Sequence, residues 1–277
     1  MAIRALIKRL AVTMSTDVVM ASCSNDSSVM APAPGPQAVL LKDIIIDRLP
    51  SPYYHFEYDA SQRISVVSFA SGFTHYDVAY DGDRISELRN NIVVNHDRLV
   101  YVYDDGGRVT TIKYTDENDV VFTVLFFSYT GQQLTGLERD LRVTGGFVRD
   151  KTMSFSYDAD GNLLELTEHR PAVEGLQTET TTVDRFERYD GGINVDGFDL
   201  LHDDFFDHLA LLPTVQLQKG NPARVTHTGD GDNYTVDYTY RYDSRHRPVS
   251  RSGDLAFLTG QDAGRHFQVS ATFSYYN

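Results

Sequence analysis

Val102-Tyr103-Asp104-Asp105-Gly106-Gly107-Arg108-Val109 is the stretch whose reading decides the fold of this chain. Tyr and Val on either side of the turn residues favour extended backbone, because a ring or a branched carbon packs well on a pleated, half-buried surface. The Asp after the Tyr can accept backbone N–H bonds and start an Asx-type turn. Gly106 and Gly107 supply the positive φ at which a chain reverses. Arg108 and Val109 then open a return strand. The segment reads as one β-hairpin.

The same hairpin recurs. Tyr58-Asp59 leads to Arg63-Ile64, Tyr80-Asp81 to Arg84-Ile85, and Tyr129 through Gly131 to Gln133-Leu134. Tyr157-Asp158 leads through Gly161 to Asn162-Leu163, and Tyr242-Asp243 to Arg247-Pro248. The first five anchoring tyrosines, 58, 80, 103, 129 and 157, are spaced by 22, 23, 26 and 28 residues. A repeat of this period is a string of supersecondary units that bury their apolar faces only against one another. Before each turn, apolar and polar residues alternate, as in Phe155-Ser156-Tyr157, the period of a strand. Within each unit the Arg is expected to face its own Tyr across the hairpin, with cation–π character.

These residues resemble the YD repeat of RHS-type proteins, Tyr-Asp-x-x-Gly-Arg-apolar, over residues 53–170 and again over 221–250. In long RHS proteins such repeats coil into a closed shell. Six or seven units are too few to close it. The expectation is therefore a mainly β fold, a curled open antiparallel sheet of successive hairpins. By this resemblance the nearer relatives are short YD-bearing lipoproteins of uncharacterised function.

Residues 171–220 break the pattern. Phe198, Leu201, Phe205, Leu209 and Leu212 recur at three- and four-residue intervals, which predicts one short amphipathic helix near 197–212, ended by Pro213. Alternation resumes in Tyr234–Tyr240 and in Phe267–Tyr275.

The N-terminus predicts export. Arg4, Lys8 and Arg9 precede a moderately apolar stretch, and Met20-Ala21-Ser22-Cys23 looks like a lipobox. Cys23 is the single cysteine and is expected to carry a lipid; Asp17 and Thr16 dilute the apolar stretch. Residues 1–22 read as a lipoprotein signal peptide and 23–39 as a polar, Pro-rich tether, with Pro32, Pro34 and Pro36 keeping it extended. Residues 40–277 read as a single β domain.

Composition narrows the functions. The net charge is −14, and loss of residues 1–22, with Arg4, Lys8, Arg9 and Asp17, deepens it to −16. Such a chain repels phosphate backbones, so no nucleic acid is expected as partner. The sequence has no Gly-x-Ser-x-Gly, P-loop, His-Glu-x-x-His or dinucleotide fingerprint. Asp204 and His208 would be neighbours on a helix, but no third metal ligand is placed beside them. The apparent calcium loops at Asp158 and Asp230 lack the Gly and Glu of an EF-hand and read as turns. No metal, cofactor or catalytic residue is expected. The candidate ligand-binding residues are the tyrosines of the turns, Tyr58, Tyr80, Tyr103, Tyr129, Tyr157 and Tyr242, as a stripe able to stack on sugar rings. The expected function is that of a non-catalytic envelope lipoprotein at the outer membrane, surface-exposed or periplasmic, held to the membrane by its lipid. Its expected partners are a glycan, a peptide or an envelope protein. The alternative is a surface hydrolase using carboxylates on a concave face of the sheet.

Overall fold

The computed structural model describes residues 39–92, 96–203 and 208–277. The signal, the tether up to residue 38, Cys23 and Asp204 lie outside the described residues. The strands are β1 (Leu41–Ile46), β2 (Tyr54–Tyr58), β3 (Ile64–Phe69), β4 (Thr74–Asp81), β5 (Arg84–Asn90), β6 (Arg98–Tyr103), β7 (Val109–Thr115), β8 (Val121–Thr130) and β9 (Gln133–Val143). They continue as β10 (Gly146–Tyr157), β11 (Leu163–Arg170), β12 (Thr180–Tyr189), β13 (His202–Asp203), β14 (His208–Leu209), β15 (Pro222–Gly229), β16 (Tyr234–Tyr242), β17 (Pro248–Phe257) and β18 (His266–Tyr275).

All of these except β13 and β14 form one antiparallel sheet that closes into a 16-stranded barrel. The expectation of an open sheet is thereby corrected. Its two ends meet because β1 pairs with both β2 and β18: Ile44 lies opposite Tyr54 on one side and Phe273 on the other. Closure leaves no unpaired edge in this sheet.

Strand parity sets the geometry of the rims. Every Tyr-Asp turn joins an even strand to the next odd one in the first eleven strands, and β16 to β17, so all of them lie at one rim. Each hairpin carries a register shift at its tyrosine: Glu57/Tyr58, Ala79/Tyr80, Val102/Tyr103, Ser128/Tyr129, Ser156/Tyr157 and Arg241/Tyr242. A bulge adds local twist and bend. Repeated round one rim, it curves the sheet towards closure.

The wall is largely apolar on its buried side, where charged groups such as Arg139 with Asp150 and Lys151 with Glu168 are paired, and polar outside. On β4, Thr74 and Tyr76 are buried while Asp77 is exposed; on β5, Ile85 and Leu88 are buried while Arg89 is exposed. Outward charges pair across neighbouring strands, as in Arg98–Glu87 at 3.4 Å, Arg185–Glu165 at 2.9 Å and Arg224–Asp237 at 3.4 Å. Such exposed pairs contribute about 0–1 kcal/mol each. Their significance is that this face is hydrated.

Sixteen strands enclose more space than their own side chains fill; barrels of this size leave a lumen. Here the connection from β12 to β15 fills part of it. The predicted helix over 197–212 is corrected to a short 3-10 helix, Gly197–Leu201, followed by the β13–β14 pair. Leu201, Leu209, Ala210, Leu211, Leu212 and Leu217 are all buried in the core. Phe198 meets Tyr54 and Phe56 edge-on at 5.0 and 5.1 Å, and Leu211 N–H donates to Tyr101 Oη at 3.1 Å. The insertion is surrounded by wall, so its apolar residues need no single stripe. Ile44, fully buried at the seam, tests closure. Ile44→Ala should lower stability by about 2–4 kcal/mol in urea unfolding; a loss under ~0.5 kcal/mol would mean that the seam is not closed.

Candidate functional site

The six tyrosines singled out from the sequence are brought together at one rim, each partly buried. Five use their hydroxyls in the same way. Tyr58 Oη donates to Leu41 O, Tyr80 to Ile64 O, Tyr103 to Ile85 O, Tyr129 to Val109 O and Tyr157 to Leu134 O, at 2.6–2.9 Å. Tyr189 and Tyr275, which the repeat reading passed over, do the same to Leu163 O at 2.6 Å and Pro248 O at 2.7 Å. Each acceptor is the first or second residue of the neighbouring strand. Every such tyrosine is thus stitched to the hairpin before it. Burial pushes these phenols upward, Tyr129 to about 12, so they remain neutral donors at physiological pH.

Asp and Arg complete the stitch. Asp59 Oδ1 accepts the N–H groups of Ser61 and Arg63 at 2.8 and 3.0 Å, and its Oδ2 takes Arg63 Nε at 2.8 Å. Asp104 with Arg108 and Asp243 with Arg247 repeat this pairing. The guanidinium then passes beyond its own hairpin. Arg63 lies over Tyr80 at 4.2 Å, Arg84 over Tyr103 at 5.4 Å, Arg108 over Tyr129 at 5.2 Å and Arg247 over Tyr275 at 4.3 Å. The expected pairing of Arg with its own Tyr is corrected by one hairpin. The turn hydrogen bonds hold the carboxyls of Asp59 and Asp104 below the usual range, with the arginine N–H first among them. Their contribution is complete above the ordinary carboxylate pKa and is lost as pH falls through the lowered one.

Two departures from the repeat mark where the insertion enters. Asn162 stands where four of the turns have Arg, and its Oδ1 accepts Lys219 N–H at 2.6 Å and Gly220 N–H at 2.9 Å. A guanidinium has no acceptor and could not take this role. Tyr242 Oη turns to the Asp190 carboxylate, which also accepts Asn221 Nδ2 at 2.8 Å. A side chain on Gly220 would meet Asp190 O at 2.3 Å, so the two ends of the insertion approach as closely as glycine allows.

Inside the barrel, Asp196 of the insertion faces Arg251 of β17 at 3.6 Å, both buried. Tyr54 hydrogen-bonds to both Asp199 and His202. On the wall, Arg139 pairs with Asp150 at 2.9 Å, and His227 Nδ1 meets Asp184 at 2.5 Å under the stacked ring of Tyr234. A cavity of about 250 Å³ opens beside the insertion, lined by Ile64, Val195, Phe198, Leu212 and Val215, with Asn194 at its edge. Asn194 is already engaged: its Nδ2 donates to Gln218 O and its Oδ1 accepts Asp196 N–H. A second, of about 510 Å³, lies over the loop 172–179. Neither brings two carboxylates and a histidine together. Among the described residues no cluster of three His, Cys, Asp or Glu has metal-binding geometry.

No family model matches the chain, and no curated protein sequence matches it. Solved structures do. A porin-like protein from Bacteroides uniformis is similar over 80% of this chain and 89% of its own, with 14% identity and a TM-score of 0.57. A porin-like protein from Bacteroides vulgatus is similar over 86% of this chain and 99% of its own, with 16% identity and a TM-score of 0.54. The shared feature is the fold, a porin-like β-barrel. It assigns no activity.

Two measurements check the site. Tyr103→Phe removes one stitch without changing the ring and should cost about 1 kcal/mol in urea unfolding. Burial raises the Asp196 carboxyl to about 6. Its neutral form is favoured in the folded chain, so its contribution is complete below the ordinary carboxylate pKa and is lost as pH rises through about 6. Wild-type stability relative to Asp196→Asn should therefore decline between pH 4 and 7, the range that spans these pKa values. A flat or rising difference would contradict this.

Proposed function

We propose that this chain is a non-catalytic envelope lipoprotein, a plugged barrel held at the outer membrane by a lipid on Cys23 and acting as a binding or structural module. The observation that carries the reading is the sidedness of the wall. A membrane-spanning barrel is apolar outside and polar within. This one is charged outside, with Asp77, Arg89, Glu138, Arg185 and Asp237 facing outward, and mostly apolar within. A charge on the lipid face near mid-bilayer costs up to about 2–4 kcal/mol. Paired charges on strand after strand make insertion unfavourable. The barrel then stands beside the bilayer, and attachment falls to the lipid.

The tether supports this reading. It joins β1 at the rim of Tyr-Asp turns, and its 17 residues, 23–39, reach about 50 Å if extended. That length allows either the surface or the periplasmic side. A glycan, peptide or envelope protein is the proposed partner. At the tyrosine rim the hydroxyls are engaged within the fold and guanidinium groups lie over the faces of Tyr80, Tyr103 and Tyr129. The hydrolase alternative has no supporting cavity among those described.

Cys23→Ser tests the anchor. The variant should lose incorporation of labelled palmitate and move from the membrane to the soluble fraction. Wild-type protein added to planar bilayers should give no conductance steps. Retention of Cys23→Ser in membranes after an alkaline wash would mean that the barrel itself inserts, and the reading would fall.

A further inference from the structure

We propose that the rim opposite the Tyr-Asp turns is a docking surface for a basic protein partner, which seats apolar side chains between its cationic groups. This goes beyond the envelope reading and does not depend on the lipid anchor.

The first observation is where exposed apolar side chains lie. Phe73 (67% exposed), Val120 (40%), Phe147 (45%), Leu176 (45%) and Leu258 (53%) all stand in or beside connections of that rim. They belong to the β3–β4, β7–β8, β9–β10, β11–β12 and β17–β18 hairpins, and so are distributed round the barrel. Single exposed apolar residues are ordinary on a protein surface. One on hairpin after hairpin of the same rim is a pattern. Ile45, like Phe147, lies in a strand one residue from this rim, and the remaining exposed large apolar residues, Val102, Phe126 and Leu164, lie in strands away from it.

The second observation is charge, which selects the occupant. The eight connections of this rim carry ten carboxylates, among them Glu117, Glu174, Glu179 and Asp232, and two arginines, Arg48 and Arg265. Most of these carboxylates are engaged: Asp97 is buried, Asp116 caps its own turn, Asp47 pairs with Arg48, Asp119 with Arg98, Glu179 with His169 and Asp262 with Arg265, and Asp230 accepts Thr181 N–H. Glu117 and Glu174 are exposed. A rim this acidic repels anionic lipid and acidic proteins and attracts a cationic surface.

The third is a receptacle that combines both properties. The cavity of about 510 Å³ over the β11–β12 loop is lined by Ala172, Val173 and Leu176 together with Glu174 and Glu179. Its floor is fixed: Gln177 Nε2 donates to Asp150 O at 2.7 Å and to Pro171 O at 2.8 Å, and the Val173 and Gln177 backbones pair. An apolar side chain flanked by Lys or Arg fits such a site.

The test uses the full chain and a synthetic peptide of alternating Leu and Lys, with a Leu-Glu peptide as control, followed by fluorescence anisotropy. The Leu-Lys peptide should bind, weaken as salt rises, and lose about tenfold in affinity when Phe73→Ser, Phe147→Ser and Leu258→Ser are combined. Val102→Ser, Phe126→Ser and Leu164→Ser on the wall should change it by less than about twofold. Should the rim triple fail to fold, Glu117→Lys with Glu174→Lys is the second variant; it should weaken binding and flatten the salt dependence. No binding, equal losses from rim and wall variants, or equal binding of the Leu-Glu peptide would overturn the proposal. So would rim-dependent sedimentation with neutral phosphatidylcholine vesicles, which would mark a lipid surface instead.

Discussion

A neutral phenol hydroxyl donating to a backbone carbonyl one hairpin away holds this molecule in shape. A hydrogen bond of this kind contributes only about 1 kcal/mol net. Its effect here lies in repetition and direction. Leu41, Ile64, Ile85, Val109, Leu134, Leu163 and Pro248 each offer a carbonyl at one rim to a tyrosine on the adjacent strand. The ladder bonds within the sheet would tolerate many curvatures. The stitch fixes the offset between neighbouring hairpins, and the bulge at each tyrosine supplies the bend. Arg63, Arg84, Arg108 and Arg247 lock the same step by lying over the next ring. Repetition of one offset round the sheet brings β18 to β1, and the ring closes where Leu41 lies opposite Tyr275 and Ile44 opposite Phe273.

Closure creates the problem that the insertion addresses. Sixteen strands surround a lumen, and an apolar lumen cannot be left to water without losing much of the burial that favours folding. The connection of residues 190–221 turns inward instead. Its entry and exit are tied together at Asp190 and Asn221, and Asn162 receives the exit strand. Its path through the lumen is marked by polar contacts, Asp196 with Arg251 and Asp199 with Tyr54. A buried ion pair is weak evidence for stability, since desolvation offsets attraction. Its clearer effect is positional: it sets which part of the insertion faces which strand.

The local units were legible in the sequence and the global closure was not. Tyr, Asp and Gly at fixed offsets announced the turns, and alternation announced the strands. Nothing in Leu41–Ile46 marks it as the partner of Phe273, because pairing across the whole chain leaves no local pattern. The spacing of Phe198, Leu201, Leu209 and Leu212 read as a helix because a stripe is the usual reason for such spacing. Inside a barrel, a segment is covered on every side, and periodicity loses its meaning. The tyrosines were found, but their stitching was hidden, since the carbonyl they reach is a backbone atom that sequence does not distinguish. Asn162 gave no distinct clue, since Gln133 also replaces the Arg of the repeat, and its acceptor duty towards Lys219 and Gly220 appears only in the fold.

Sidedness then decides how far the likeness to porin-like barrels extends. Two barrels with the same strand arrangement can bury opposite faces, because a one-residue slip in which side chains point inward inverts inside and outside. The bulges at the six repeat tyrosines fall after the regular part of each strand and leave the alternation of Tyr76 in and Asp77 out undisturbed, whereas the bulge at Arg149/Lys151 interrupts it, with Asp150 and Lys151 buried in succession. With a largely apolar interior partly filled by its own chain, the barrel has two unlike ends. One end is consumed by its stitches, its hydroxyls and guanidiniums satisfied within the fold. The other ends in hairpin loops that contribute little to closure. Some residues there are built into the fold, as Tyr53 is in the core and Gln177 is to Asp150 O, while others such as Phe73 and Leu258 stand in solvent.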